Sequence, residues 1–180
     1  MRLVDGPGPG IVEVTVWSLE MTSAADLVPA AMPGDPSVEL LRAGRSAPEL
    51  SAFFYREVGA DWHWVDRADW SRADWLRWVD RDEHHLLWIV SEGAPAGYLE
   101  LEQQAGGAVE IAYFGLMPGC LGRGLGPWLL AEGIAAAWAL PGTQRVWVHT
   151  CSLDSPAARR TYEARGLRVF AESREFRRPE

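Results

Sequence analysis

Residues 116–130, Leu-Met-Pro-Gly-Cys-Leu-Gly-Arg-Gly-Leu-Gly-Pro-Trp-Leu-Leu, carry glycine at alternate positions 122, 124 and 126, between an apolar run and a Trp/Leu/Ala-rich segment. The preceding run, Val109 to Leu116 (VEIAYFGL), reads as a strand, and Trp128 to Leu140 is too apolar for an exposed helix. A strand that ends in a glycine-rich turn and opens a helix aims several main-chain N–H groups and the positive end of a helix dipole at one point, an arrangement that binds phosphate. Two phosphate-binding designs fail on their residues. A P-loop needs Gly-Lys-Ser/Thr, and the chain contains no lysine; a dinucleotide fingerprint needs glycine at 127, where Pro127 stands. A tight glycine turn without a ligand remains the plain alternative.

Outward from this stretch, Ile11 to Met21 alternates and is valine-rich, which predicts a strand, whereas Pro29, Pro33 and Pro36 make Thr22 to Pro36 a loop. Ser37 to Arg42 reads as a short strand, and Ala47 to Val58 has helical spacing with Gly59 as its stop. Ser71 is placed to cap a second helix through Val79, with Asp74 in its first turn. His85 to Val90 and Ala96 to Gln103 predict a hairpin turning at Gly93-Ala94-Pro95, and Gln104 to Gly107 marks the next turn. Arg145 to Thr150 is a strand. Pro156 to Arg165 is a helix with Ser155 as N-cap and Gly166 at its end, and Leu167 to Ser173 is a last strand.

At 180 residues and 48% hydrophobic, the chain is expected to form one domain, residues 1–180, with a substantial core. No apolar run reaches the roughly 18 residues that span a bilayer, and the Gly-Pro-Gly-Pro near the start is unlike a signal peptide, so no membrane association and no export are expected. Cys120 and Cys151 have no zinc-type pairing and suit a reducing, cytoplasmic compartment. His63, His84, His85 and His149 lack ligand spacing, so no metal is expected. A net charge of -8 argues against nucleic acid as a partner and leans toward a cationic one. A homodimer is left open.

The glycine segment resembles the coenzyme A pyrophosphate loop of the GNAT acetyltransferases, Gln/Arg-x-x-Gly-x-Gly/Ala, running here Leu121-Gly122-Arg123-Gly124-Leu125-Gly126 with the polar first position lost. Asp154 to Leu167 resembles the family's later Asn-x-x-Ala-x-x-x-Tyr-x-x-x-Gly-Phe stretch, with Ser155 for Asn, Leu167 for Phe, and Ala158, Tyr162 and Gly166 in register. The resemblance covers Ile11 to Ser173. It implies an α/β (α+β) fold, a mixed, mostly antiparallel sheet with helices on both faces, whose parallel strands at 109–116 and 145–150 splay to admit the cofactor arm.

The resemblance further implies acetyl transfer from acetyl-CoA to a primary amine by direct attack, with Leu121 to Gly126 and Ser155 holding the cofactor. A main-chain N–H near Leu116 or Met117 would serve the thioester oxygen. A primary amine has a pKa near ~10.4 and needs a base. Glu110, eleven positions before Leu121 at the offset of the family's histone-acetylating members, is the candidate; a solvent-facing glutamate, with water as base, is the alternative. Tyr162 is the expected acid, or a tyrosine packed on its helix. Trp62 and Trp64, in Asp-Trp-His-Trp-Val-Asp before Trp70, Trp75 and Trp78, either bind a small cationic amine at an acceptor lip or pack the helix pair. The acceptor could equally be a protein N-terminus, and a catalytically silent acyl-CoA-binding or sensing module is the rival reading.

Overall fold

The computed structural model describes residues 2–4 and 6–178; the expected span 1–180 includes Met1, Asp5, Pro179 and Glu180, which lie outside the described residues. Its strands are β1 (Arg2–Val4), β2 (Val12–Met21), β3 (Glu39–Arg42), β4 (His84–Ser91), β5 (Ala94–Gln104), β6 (Ala108–Leu116), β7 (Arg145–Cys151) and β8 (Arg168–Arg178). Its α-helices are α1 (Pro48–Gly59), α2 (Arg72–Val79), α3 (Leu125–Ala139) and α4 (Ala158–Glu163). The strands form one sheet in the order β1-β8-β2-β7-β6-β5-β4-β3, antiparallel except between β6 and β7. This is the mixed, mostly antiparallel architecture expected.

Alternation along the strands divides the apolar residues between two faces. Leu87, Ile89, Leu99, Leu101, Val109, Ile111, Val146 and Val148 pack with Leu129, Leu130 and Ile134 of α3 and with Tyr162 of α4. Leu86, Tyr98 and Tyr113 point the other way, against Phe54 and Val58 of α1. Helices therefore cover both faces, and α3 is apolar all round because it lies under a fully buried sheet face.

Several boundaries moved for identifiable reasons. The β4–β5 hairpin turns at Glu92-Gly93, both with positive φ (53° and 78°), one residue before the expected turn; Pro95 sits instead at a register irregularity within β5. Gly59 does not stop α1 by turning left-handed: the chain continues into a 3-10 turn at Ala60–Trp62, and His63 takes the positive φ of 56°. Glycine is required at 59 because a Cβ there would lie 2.6 Å from Cβ of Trp64. Ser71 caps α2 as expected, its hydroxyl accepting from Asp74 N–H while the Asp74 carboxylate accepts from Ser71 N–H at 2.8 Å. The α3 helix begins at Leu125, so its first turn lies inside the glycine segment, and α4 begins only at Ala158. The β1 strand was not anticipated.

Candidate active site

The β6–β7 pair is where the sheet opens. Its parallel register runs Ala108 to Arg145, Val109 to Val146 and Glu110 to Trp147 and goes no further, although β6 continues to Leu116 and β7 to Cys151. The unpaired ends form a cleft whose floor lies at Glu110 and Trp147. At its far end Met117 N–H donates to Ala96 carbonyl oxygen at 3.0 Å. That donor is engaged with the strand backbone, which removes Met117 from the two expected donors. Because N–H directions alternate along a strand, that of Leu116 points to the opposite edge, into the cleft.

The glycine loop follows. Gly122 and Gly124 both hold φ of 75°, and a Cβ built on either meets nothing within 4 Å, so the loop is left-handed and its outer side is open. Gly124 is the N-cap of α3 and supplies no side-chain cap, so the first-turn N–H groups of Leu125 and Gly126 have no partner within the helix. The loop has the open backbone, the donors and the dipole that a pyrophosphate needs. Leu121 is 54% exposed beside it. The Arg123 side chain turns away, donating to Ser91 Oγ at 2.9 Å and Asp35 Oδ2 at 3.2 Å, and so straps the loop to the β4–β5 hairpin and the proline-rich segment. Hydrogen bonds from Ser37, with this guanidinium, hold the Asp35 carboxyl below its usual range. Ser155 also acts locally, its hydroxyl accepting from Ala157 N–H at 3.3 Å.

Tyr162 lies on the α3 side of the sheet, 6% exposed. Its ring meets Phe114 of β6 edge-on at 5.9 Å, and the same phenylalanine lies against Gly126 at the start of α3, so one residue links the glycine helix, the cleft and the tyrosine. Burial first, and the Asp154 charge second, push the phenol pKa well above its ordinary value. A neutral phenol is the form that donates a proton.

Glu110 opens on the opposite face, its side chain 12% exposed. Gln104 Nε2 donates to Oε2 at 2.7 Å, and His149 Nδ1 lies 3.1 Å from Oε1. Tyr162 and Glu110 thus lie on opposite faces of the sheet. His149 and Gln104 were missed by sequence reading, yet the signal existed: in Arg-Val-Trp-Val-His-Thr the buried valines assign Trp147 and His149 to the other face, as Val-Glu-Ile assigns Glu110.

The tryptophan-rich segment, left between acceptor binding and packing, holds a cation of its own chain. The Arg67 guanidinium sits 3.7 Å from the Trp78 ring centroid, 4.3 Å from that of Trp70 and 4.6 Å from that of Tyr113. Asp66 accepts from Tyr55 Oη at 2.6 Å and Tyr113 Oη at 2.9 Å. Trp64 packs on Tyr55, Tyr98 and Tyr113 with centroids 5.6, 6.4 and 5.1 Å away, which makes it a bolt between α1 and the sheet. Trp62, half-buried in the turn after α1, packs on no other aromatic ring among the described residues. Among those residues no group of three or more His, Cys, Asp or Glu is arranged to hold a metal, and no helix is long and apolar enough to cross a membrane.

A parallel pair that opens past Glu110 and Trp147, a glycine loop at the head of α3 and a buried tyrosine on the α3 side of the sheet make up the candidate site. The model of the acetyltransferase (GNAT) family matches residues 49–167, more than half of the chain, and the protein belongs to that family. Among solved structures, a GCN5-related N-acetyltransferase from Sphaerobacter thermophilus superposes with a TM-score of 0.67 at 19% identity, over 95% of this chain and 54% of that one. Another from Kribbella flavida gives 0.65 at 18%, over 93% and 59%. A tandem GNAT protein from the clavulanic acid biosynthesis pathway gives 0.63 at 17%, over 92% and 52%. The chain thus spans little more than half the length of these neighbours. No curated protein matches it.

Proposed function

We propose that the chain is an N-acetyltransferase moving acetyl from acetyl-CoA to a small primary amine. The observation that carries this reading is the glycine loop, whose left-handed, side-chain-free residues stand at the head of α3 beside an open strand pair. Acetyl-CoA supplies the acyl group as an activated thioester. Gly122 to Gly126 would hold its pyrophosphate, and the Leu116 N–H would polarise the thioester oxygen. Glu110 furnishes the negative charge that draws the proton from the attacking amine, and Tyr162 returns one to the departing sulfur. Trp62 is the aromatic face left for the acceptor at the lip. The net charge of -8 favours a cationic acceptor, and the free thiols of Cys120 and Cys151 suit the cytoplasm.

Acetyl-CoA should raise the melting temperature where ATP and NAD do not, adding about 2.7 kcal/mol at a hundredfold excess over its Kd. Gly124→Val should remove that shift. A branched side chain at φ 75° also strains the loop by roughly 1–2 kcal/mol, so the unliganded variant should melt somewhat lower. An unshifted parent would contradict the assignment of the loop.

At the lip, Trp62→Ala should raise the acceptor KM by about tenfold, leave the acetyl-CoA KM unchanged and leave the melting temperature near that of the parent. Equal damage to both KM values would show packing instead. Coenzyme A release by the parent separates a transferase from a silent acyl-CoA sensor, which would shift its melting temperature with acetyl-CoA but release none.

A further inference from the structure

Each oxygen of Glu110 already accepts a hydrogen bond from a neighbouring side chain. The indole N–H of Trp147 can only donate, and its bond to Gln104 Oε1 at 3.0 Å orients that amide with its oxygen toward Trp147 and its NH2 toward Glu110. Gln104 therefore donates to Glu110 Oε2, at 2.7 Å. The remaining oxygen meets His149 Nδ1 at 3.1 Å, and because a carboxylate only accepts, the imidazole carries its proton on Nδ1 and its lone pair on Nε2. The carboxylate side chain is 12% exposed and the imidazole 55%. The four residues come from the end of β5, from β6 and from β7, so the fold builds the relay at the floor of the cleft.

The geometry points to His149 as the residue that takes the proton from the acceptor amine, with Glu110 as the positioning residue that fixes its tautomer and stabilises the imidazolium. This rests on the acetyltransferase reading. The amine nitrogen forms a bond to the thioester carbon, the carbon–sulfur bond breaks, the amine proton passes to His149 Nε2, and the sulfur leaves as thiolate to be protonated by Tyr162 or solvent. The imidazolium then returns its proton to water. The charged groups facing His149 are Glu110 from β6, Asp154 from the turn before α4 and Arg177 from β8, while its register partner on β2 is the uncharged Ser18. The Glu110 hydrogen bond, then burial acting in opposition, then the carboxylate charges leave the His149 pKa above its ordinary value.

The test uses the full chain with acetyl-CoA as donor and benzylamine, ethanolamine, spermidine and a tripeptide with a free N-terminus as acceptors, coenzyme A release being followed across pH. In the parent, kcat/KM should rise with pH through a limb above the ordinary histidine range. His149→Ala should lower turnover about 10²-fold, keep acetyl-CoA binding and lose that limb, with free imidazole restoring part of the rate. Glu110→Gln should move the limb to lower pH, since the imidazole loses its carboxylate. The limb decides: persistence of both rate and limb in His149→Ala overturns the proposal alone, as does loss of acetyl-CoA binding in that variant, which would mark a structural role. A parent that releases no coenzyme A with any of the four amines overturns the transferase reading and this proposal together.

Discussion

Glu110→Gln should lower turnover by about 10²-fold or more while acetyl-CoA still raises the melting temperature as in the parent, and Tyr162→Phe should do the same. The two side chains lie on opposite faces of the sheet, Glu110 paired with His149 and Tyr162 beside Phe114. Glu110 supplies the only negative charge in the Trp147–Gln104–Glu110–His149 chain of hydrogen bonds. An amide in its place can rotate to satisfy Gln104 but leaves the imidazole without a counter-charge. For Tyr162 the ring contact with Phe114 survives the loss of the hydroxyl, so packing is kept while the proton donor is removed. Stopped turnover with intact acetyl-CoA binding in both variants is the expected pair of results. Loss of binding in either would assign that residue to structure, and an unchanged rate in Glu110→Gln would exclude its carboxylate from the proton relay.

The second large effect is on stability. Trp64→Ala should destabilise the fold by about 3–5 kcal/mol, as large-to-small changes among tightly packed aromatics do. The ring touches Tyr55, Tyr98 and Tyr113, and Gly59 has no side chain so that Trp64 can lie against it. Its removal would open a cavity between α1 and β6 and loosen the seat of Arg67, whose guanidinium shares the Tyr113 ring. Denaturant unfolding of the variant should show the lower midpoint, and acceptor preference at a permissive temperature should not change. A variant as stable as the parent would contradict this packing role.

The contrast between Trp64 and the glycine loop shows which features were legible beforehand. A loop that needs bare backbone advertises itself in composition, and the Ser71–Asp74 cap lies within four residues, so both could be read locally. Alternation marked β7, whose buried valines leave a period of two, whereas β5 is buried on both faces. Partners distant in the chain left no such trace. Arg67 looks like any surface arginine until Tyr113 is brought over it, and Asp66 looks like an acceptor-binding acid until two tyrosine hydroxyls are found on it. The place of β2, between β7 and β8, depends on pairings such as Val16 with Ser173 that no local signal announces. The Met117 N–H could be excluded as a donor only once β5 was seen to take it.

The most direct test of the central claim is coenzyme A release from acetyl-CoA in the presence of an amine panel, with the masses of the amines determined at the end. The predicted result is thiol release that requires both acetyl-CoA and an amine, matched one for one by acetylated amine. Acetyl-CoA that binds and stabilises the protein, yet yields neither free thiol nor acetylated amine with any acceptor, would contradict it.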